Sequence, residues 1–147
     1  MKDADGWLLV HAAATWSLVG LIWVVQLVVY PAFAMVGKEG FGDYHAAHSR
    51  NITWVVGPLM LAELATALVL LATGTGGGVF GASLALLALI WVSTGLVQVP
   101  LHQRLSSGKD EKTIRSLVRT NWIRTVAWTL RGVAVAVMLA AARDFAQ

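Results

Sequence analysis

Four long apolar stretches organise the chain, at about residues 7–30, 51–73, 79–101 and 121–142, and the intervals between them hold most of the charge and chain-breaking residues. Each stretch matches the roughly 20 helical residues needed to cross a hydrocarbon core. In a chain of 147 residues, four such spans leave no length for a separate soluble domain. The expected fold is therefore all-α: one integral membrane four-helix bundle over residues 1–147, with helices at about 7–30, 44–73, 79–104 and 112–142. The breakers set these limits. Tyr30-Pro31 is expected to end the first span, because a residue before proline is pushed out of the helical region. Gly37, Gly40 and Gly42 loosen the next connection, and Asp43 is placed to cap a helix that starts near Tyr44, kinks at Pro58 and stops at Gly74. Pro100 lies near the end of the third span, and a polar turn over 106–111 precedes a helix from about Asp110. The first stretch follows Lys2, Asp3 and Asp5, lacks a basic leader, and is read as a retained helix, with a signal anchor as the alternative.

Composition agrees with the pattern. The chain is 57% hydrophobic and 13% charged, with mean hydropathy +0.68, whereas an ordinary soluble domain is about a quarter charged. Lys38 and Arg50 lie in the first connection, Arg104, Lys109, Lys112, Arg115 and Arg119 in or beside the third, and residues 73–78 carry no charge. Lys2 and Arg143 at the termini are offset by Asp3, Asp5 and Asp144. The positive-inside rule then puts the first and third connections in the cytoplasm and both termini outside, on the same side of a bacterial inner (plasma) membrane. The net charge of +3 follows the membrane boundary and predicts contact with lipid headgroups; no nucleic-acid partner is expected. Without cysteine, disulfides, thiolate metal sites and cysteine nucleophiles are excluded. Small-residue runs at 12–14 and 133–137 permit close helix packing and a homo-oligomer. Trp7, Trp54, Trp91, Trp122 and Trp128 suggest an interfacial aromatic belt.

Lining up the helices at 1.5 Å per residue brings polar residues into two layers. The layer nearer the cytoplasm holds Gln26, Tyr30, His48, Asn51, Gln98, His102, Asn121 and Arg124, with Tyr44 and His45 slightly beyond. Asn121, Arg124, Trp128 and Arg131 recur at three-and-four spacing and share a face, as do Gln98 and His102. Polar groups inside apolar spans are costly unless they face a partner or cavity, so these faces should point inward. The deeper layer holds Glu63 and Arg131 at nearly equal depth. They are expected to form a buried ion pair that fixes register, the alternative being a site for a proton or a substrate carboxylate.

His45, His48 and His102 offer three imidazoles at one end of the bundle, a donor set suited to copper, iron or zinc. The competing chemistry uses a neutral histidine as general base, with Asn121 and Arg124 stabilising an oxyanion or enolate and Tyr44 and Gln98 orienting the substrate. A hydrogen-bonded, partly solvated histidine pair is the plain alternative. His11, at the other end of the first span, reads as a hydrogen-bonded core histidine far from this cluster.

LVVYPAF (27–33), the YHAAHSRN helix start, QVPLHQRL (98–105) and NWIRT (121–125) resemble the small four-helix membrane family that includes anthrone oxygenases. There, a proline follows the first span, a Pro-x-Asn-x-x-Leu motif ends the third, and a Trp/Asn-x-x-Arg motif opens the fourth. Asn121 and Arg124 match that last motif, while His102 stands where the family tends to have asparagine. The resemblance implies a membrane-embedded oxygenase-like oxidoreductase acting on an aromatic or quinone-like small molecule. A second resemblance, confined to LLVHAAATWSLVGLIW (8–23), is to copper-resistance D-type domains and small membrane protoporphyrinogen oxidases. It implies haem or porphyrin at His11, for which Met138 is the axial candidate at similar depth. Two other functions are compatible with the sequence: a proton-coupled transporter using Glu63, and a haem- or lipid-binding accessory protein.

Overall fold

A computed structural model of the chain describes residues 2–144. Four helices are long and apolar enough to cross a membrane: α1 (Gly6–Met35), α2 (Lys38–Ala72), α3 (Gly78–Leu105) and α4 (Glu111–Ala142). The side chains of the terminal charged residues Lys2, Asp3, Asp5, Arg143 and Asp144 lie outside the described residues. The outer surface is apolar, with Met35, Trp54 and Leu96 exposed at 87%, 77% and 74%, as expected of side chains that face hydrocarbon.

Packing runs in the order α2, α1, α4, α3. α1 packs against α2 and α4, and α4 packs along α3. Between α2 and α3 backbone contact is sparse and centres on the 99–105 segment, apart from the short 73–77 connection that joins them. At the opposite end Leu70 and Phe80 join Leu8 in a small apolar cluster. The larger core, which includes Leu18, Ile22, Phe33, Ile90, Leu117 and Trp128, fills the other half of the bundle.

Two prolines are absorbed within helices, one of them, Pro31, where the sequence predicts a stop. α1 continues through Pro31 to Met35 because a wide turn over Val25–Val29 precedes it, with the Tyr30 N–H bonded to the Val25 carbonyl. α3 does the same at Thr94–Gln98 before Pro100, the Val99 N–H reaching the Thr94 carbonyl. A proline ring clashes with the carbonyl four residues earlier, and an i to i−5 turn relieves the clash without ending the helix. The expected end of the first span at Tyr30 is corrected accordingly.

α2 also starts earlier than expected, at Lys38, after Gly37 in an extended conformation. Asp43 lies inside this helix and is no cap. Glycines in a helix cost about 1 kcal/mol each, but Phe41 is fully buried against Phe33, ring centroids 6.2 Å apart. Burying a phenylalanine contributes about 1.5–3 kcal/mol, enough to offset Gly40 and Gly42. Asp110, where the sequence places the helix start, caps α4: its carboxylate accepts from the Lys112 and Thr113 N–H groups at 3.2 and 3.0 Å and from the Thr113 hydroxyl. Gly108 supplies the positive φ of 134° that turns the chain toward this cap. Lys109 donates to the Ala34 and Val36 carbonyls at 2.7 and 2.8 Å, a cation on the carbonyl end of α1.

The Thr113 hydroxyl, then its N–H, hold the Asp110 carboxyl below its usual range. A lowered folded-state pKa stabilises the fold above the ordinary value of about 3.9 and loses that contribution as pH falls through the lowered value. Asp110→Ala should therefore lower the thermal midpoint at pH 7, and the gap to wild type should shrink in acid. Circular-dichroism melts in detergent at pH 7 and at acid pH read both.

Candidate functional site: a cavity between two buried polar layers

The inner layer near the Gly74 end is built around Arg131 of α4. Its Nε donates to Glu63 Oε1 at 3.1 Å, with both side chains fully buried. Nη1 donates to the Ser83 carbonyl and, at 3.0 Å, to the Ser83 hydroxyl. Nη2 lies 3.3 Å from His11 Nε2. A guanidinium only donates, so His11 Nε2 accepts and the ring proton sits on Nδ1, 2.8 Å from Thr66 Oγ1. Glu63 also accepts from Thr15 at 2.9 Å and from the Trp128 indole at 3.1 Å. Trp128 is thus a buried ligand of the carboxylate, and the expected aromatic belt loses it. His11 belongs to this layer, and both ring nitrogens are engaged within it. That leaves neither for an axial bond to haem, and Met138 packs instead near the Leu8, Leu70 and Phe80 cluster.

The second layer lies toward the basic end. Arg124 donates through Nε and Nη2 to Asn121 Oδ1, through Nη2 to the Tyr30 hydroxyl at 3.2 Å, and through Nη1 to Thr94 at a long 3.4 Å. Asn121 Nδ2 in turn donates to Gln26 Oε1 at 2.8 Å, and Gln26 donates to the Val118 carbonyl at 3.1 Å. Gln26 and Gln98 both come from the wide turns before the two prolines, where such turns re-aim side chains. Arg124 is only 6% exposed and pairs with no carboxylate among the described residues. Three good charge-assisted bonds of about 1.5–3 kcal/mol each roughly balance the several kcal/mol of desolvation that a buried ion carries. They hold the guanidinium in place and leave its charge uncancelled.

Tyr30 connects Arg124 to the histidines. Its hydroxyl is 3.0 Å from His102 Nε2, and His102 Nδ1 is 3.0 Å from His45 Nε2. Because Tyr30 accepts from Arg124, the assignment that uses every proton runs one way: Tyr30 donates to His102, and His102 donates to His45. The chain ends at His45 Nδ1, a buried N–H with no partner among the described residues.

A cavity of about 460 Å³ opens beside this layer, between α2 and α3. His45, Ser49, Gln98, His102 and Arg124 give it a polar end, and Leu18, Ile22, Val56 and Met60 an apolar one. Among the described residues, three buried polar atoms on its lining residues lack a partner: His45 Nδ1, Ser49 Oγ and Gln98 Oε1. Buried polar atoms are ordinarily bonded, so such a set in one place marks a ligand site. No family model, curated protein or solved structure matches this chain.

The expected site residues therefore divide. His102, His45, Gln98 and Arg124 meet at the cavity, while Asn121 stands behind Arg124 and positions it. Tyr44 and Asn51 turn to another face of α2, beside a separate shallow depression that His48 also lines. The His48 ring lies 5.0 Å from Phe33 and 6.1 Å from His102, centroid to centroid. Facing nitrogens of His45 and His102 are bonded to each other, and among the described residues no three His, Asp or Glu side chains are grouped to hold a metal ion. The donor arrangement thus does not fit the copper, iron or zinc site that three histidines suggest. Sequence reasoning missed Thr15, Thr66 and Ser83 around the ion pair, although Thr15 lies four residues from His11 and Thr66 three from Glu63 on shared helix faces.

Removing one partner of a buried ion pair costs about 3–5 kcal/mol, whereas replacing both by apolar residues is often neutral. Glu63→Gln should accordingly lower unfolding stability by about that amount, and Glu63→Leu combined with Arg131→Met should recover most of it. Denaturant unfolding in mixed micelles distinguishes the two.

Proposed function

We propose that the protein is a membrane-embedded oxidoreductase of oxygenase type, in a bacterial inner membrane with the polar end of its cavity toward the cytoplasm. Its substrate is a hydrophobic aromatic ketone, phenol or quinone-like molecule. The observation that carries this reading is the uncancelled guanidinium of Arg124 on the wall of an apolar cavity, beside a one-way hydrogen-bond chain through Tyr30, His102 and His45. The motif resemblance to anthrone oxygenases supports the same chemistry.

In this reading the chain reverses, His45 Nε2–H donating to His102 Nδ1 and His102 Nε2–H to the Tyr30 hydroxyl, which frees His45 Nδ1 to remove a proton from an activated C–H or O–H of the bound ring system. Negative charge then collects on the substrate oxygen, where the remaining Nη1–H of Arg124 and its fixed charge stabilise it. Asn121 and Gln26 hold the guanidinium so that it need not reorganise as the charge develops. The electron-rich anion passes its electrons to dioxygen: a ring CH₂ and O₂ become C=O and H₂O, so hydrogen and oxygen balance. Every step uses the chain's own side chains, the substrate and dioxygen.

A transporter that cycles protons through Glu63 is less well supported. That carboxylate is fully buried and bonded to Thr15, Trp128 and Arg131.

Anthrone oxidation by purified protein in nanodiscs, followed as oxygen uptake above the protein-free rate, tests the proposal. Arg124→Gln should lower kcat/KM by about 10²–10³-fold, the usual loss on removing a stabiliser of developing charge. Oxygen uptake that is unchanged in the variant, or absent in the folded wild type, would refute it.

A further inference from the structure

We propose that the slot between α2 and α3 is a lateral gate to the lipid phase, and that it admits an aromatic substrate carrying an alkyl or isoprenoid-type tail. This rests on the reading of Arg124 as the site of the substrate oxygen. It adds that the substrate is dissolved in the membrane and presents its oxygen as a phenolic hydroxyl, the enol form of a ring ketone that carries the activated CH₂.

The helix order leaves one side of the bundle open. α2 and α3 sit at its two edges; apart from the short 73–77 connection that joins them, their main backbone approach is near 99–105. Arg131 bridges them farther along, through Glu63 on one and Ser83 on the other. Between these two closures, Thr53 of α2 and Val99 of α3 are exposed lining residues of the cavity. The wall grades from His45, Ser49, Gln98 and Arg124 to Val56, Gly57 and Met60. In the proposed orientation that gradient matches an amphiphile resting in the inner leaflet, oxygen toward the interface and tail toward the bilayer centre. The unpartnered polar atoms and the uncancelled cation make the polar end complementary to an acidic hydroxyl. At Gly57, a lining residue, an added Cβ would meet no heavy atom within 4 Å. The tail has room to pass there.

The test compares binding of para-dodecylphenol and para-cresol to protein in nanodiscs, with each affinity referred to the phenol concentration in the membrane. Gly57→Trp should weaken para-dodecylphenol at least about tenfold and leave para-cresol within about twofold, since a tenfold loss is well resolved in a Kd. Gly20→Trp, at an exposed α1 position where a Cβ also meets nothing, should leave both unchanged. If Gly57→Trp weakens both phenols equally or neither, the gate is refuted. Arg124→Gln should weaken both. If it weakens neither while Gly57→Trp still discriminates, the assignment of Arg124 fails and the gate stands.

Should Gly57→Trp not fold, the absence of native cysteine makes Gly57→Cys a single-thiol probe. A lipid-soluble N-alkylmaleimide should label it, and para-dodecylphenol should protect it. Labelling by a charged, water-soluble thiol reagent alone would overturn the gate.

Discussion

Arg131 holds together two helices that scarcely meet. From α4 its guanidinium reaches Glu63 on α2 and Ser83 on α3. An unpaired cation in an apolar interior would cost several kcal/mol, so the carboxylate fixes its position. The arginine arm spans the gap between the two edge helices. Thr15, Trp128 and His11 complete the arrangement from the other two helices. Register and the width of the slot depend on this layer, and so does the cavity beside it.

Seven residues earlier on the same helix, Arg124 meets different surroundings. Its partners are an amide, a phenol and a hydroxyl. Neutral acceptors can aim a guanidinium but cannot cancel its field in a medium of low dielectric. One arginine is neutralised and structural, the other is held ready and faces the cavity. The difference comes from Glu63 standing opposite one of them and Asn121 and Tyr30 beside the other.

Much of this was legible in the chain. Apolar length marked four helices, and residue counting brought Glu63 to Arg131 and His102 to Arg124. Counting failed where local geometry departs from a straight helix. Nothing in the stretches before Pro31 and Pro100 announces that wide turns will carry α1 and α3 through them and re-aim Gln26 and Gln98. The early start of α2 depends on Phe41 packing against Phe33, a contact distant from any helix-cap signal. Helical angles separate Tyr44 and Asn51 from His45 and Ser49, while His48, three residues from His45 and four from Tyr44, lies between the two stripes. His11 stands far from the other histidines in the chain's polar pattern, and its partners are of other types, Thr66 and Arg131. The direction of the Tyr30, His102 and His45 chain required knowing which atoms touch.

The account turns on whether a substrate oxygen binds Arg124 from a membrane-facing cavity. A crystal structure grown from a lipidic mesophase containing para-dodecylphenol addresses this directly. The account predicts the phenol oxygen within hydrogen-bond distance of Arg124 Nη1 and the tail emerging between α2 and α3 beside Gly57. A phenol bound only on the outer helix faces, with Arg124 still enclosed by its present partners, would contradict it.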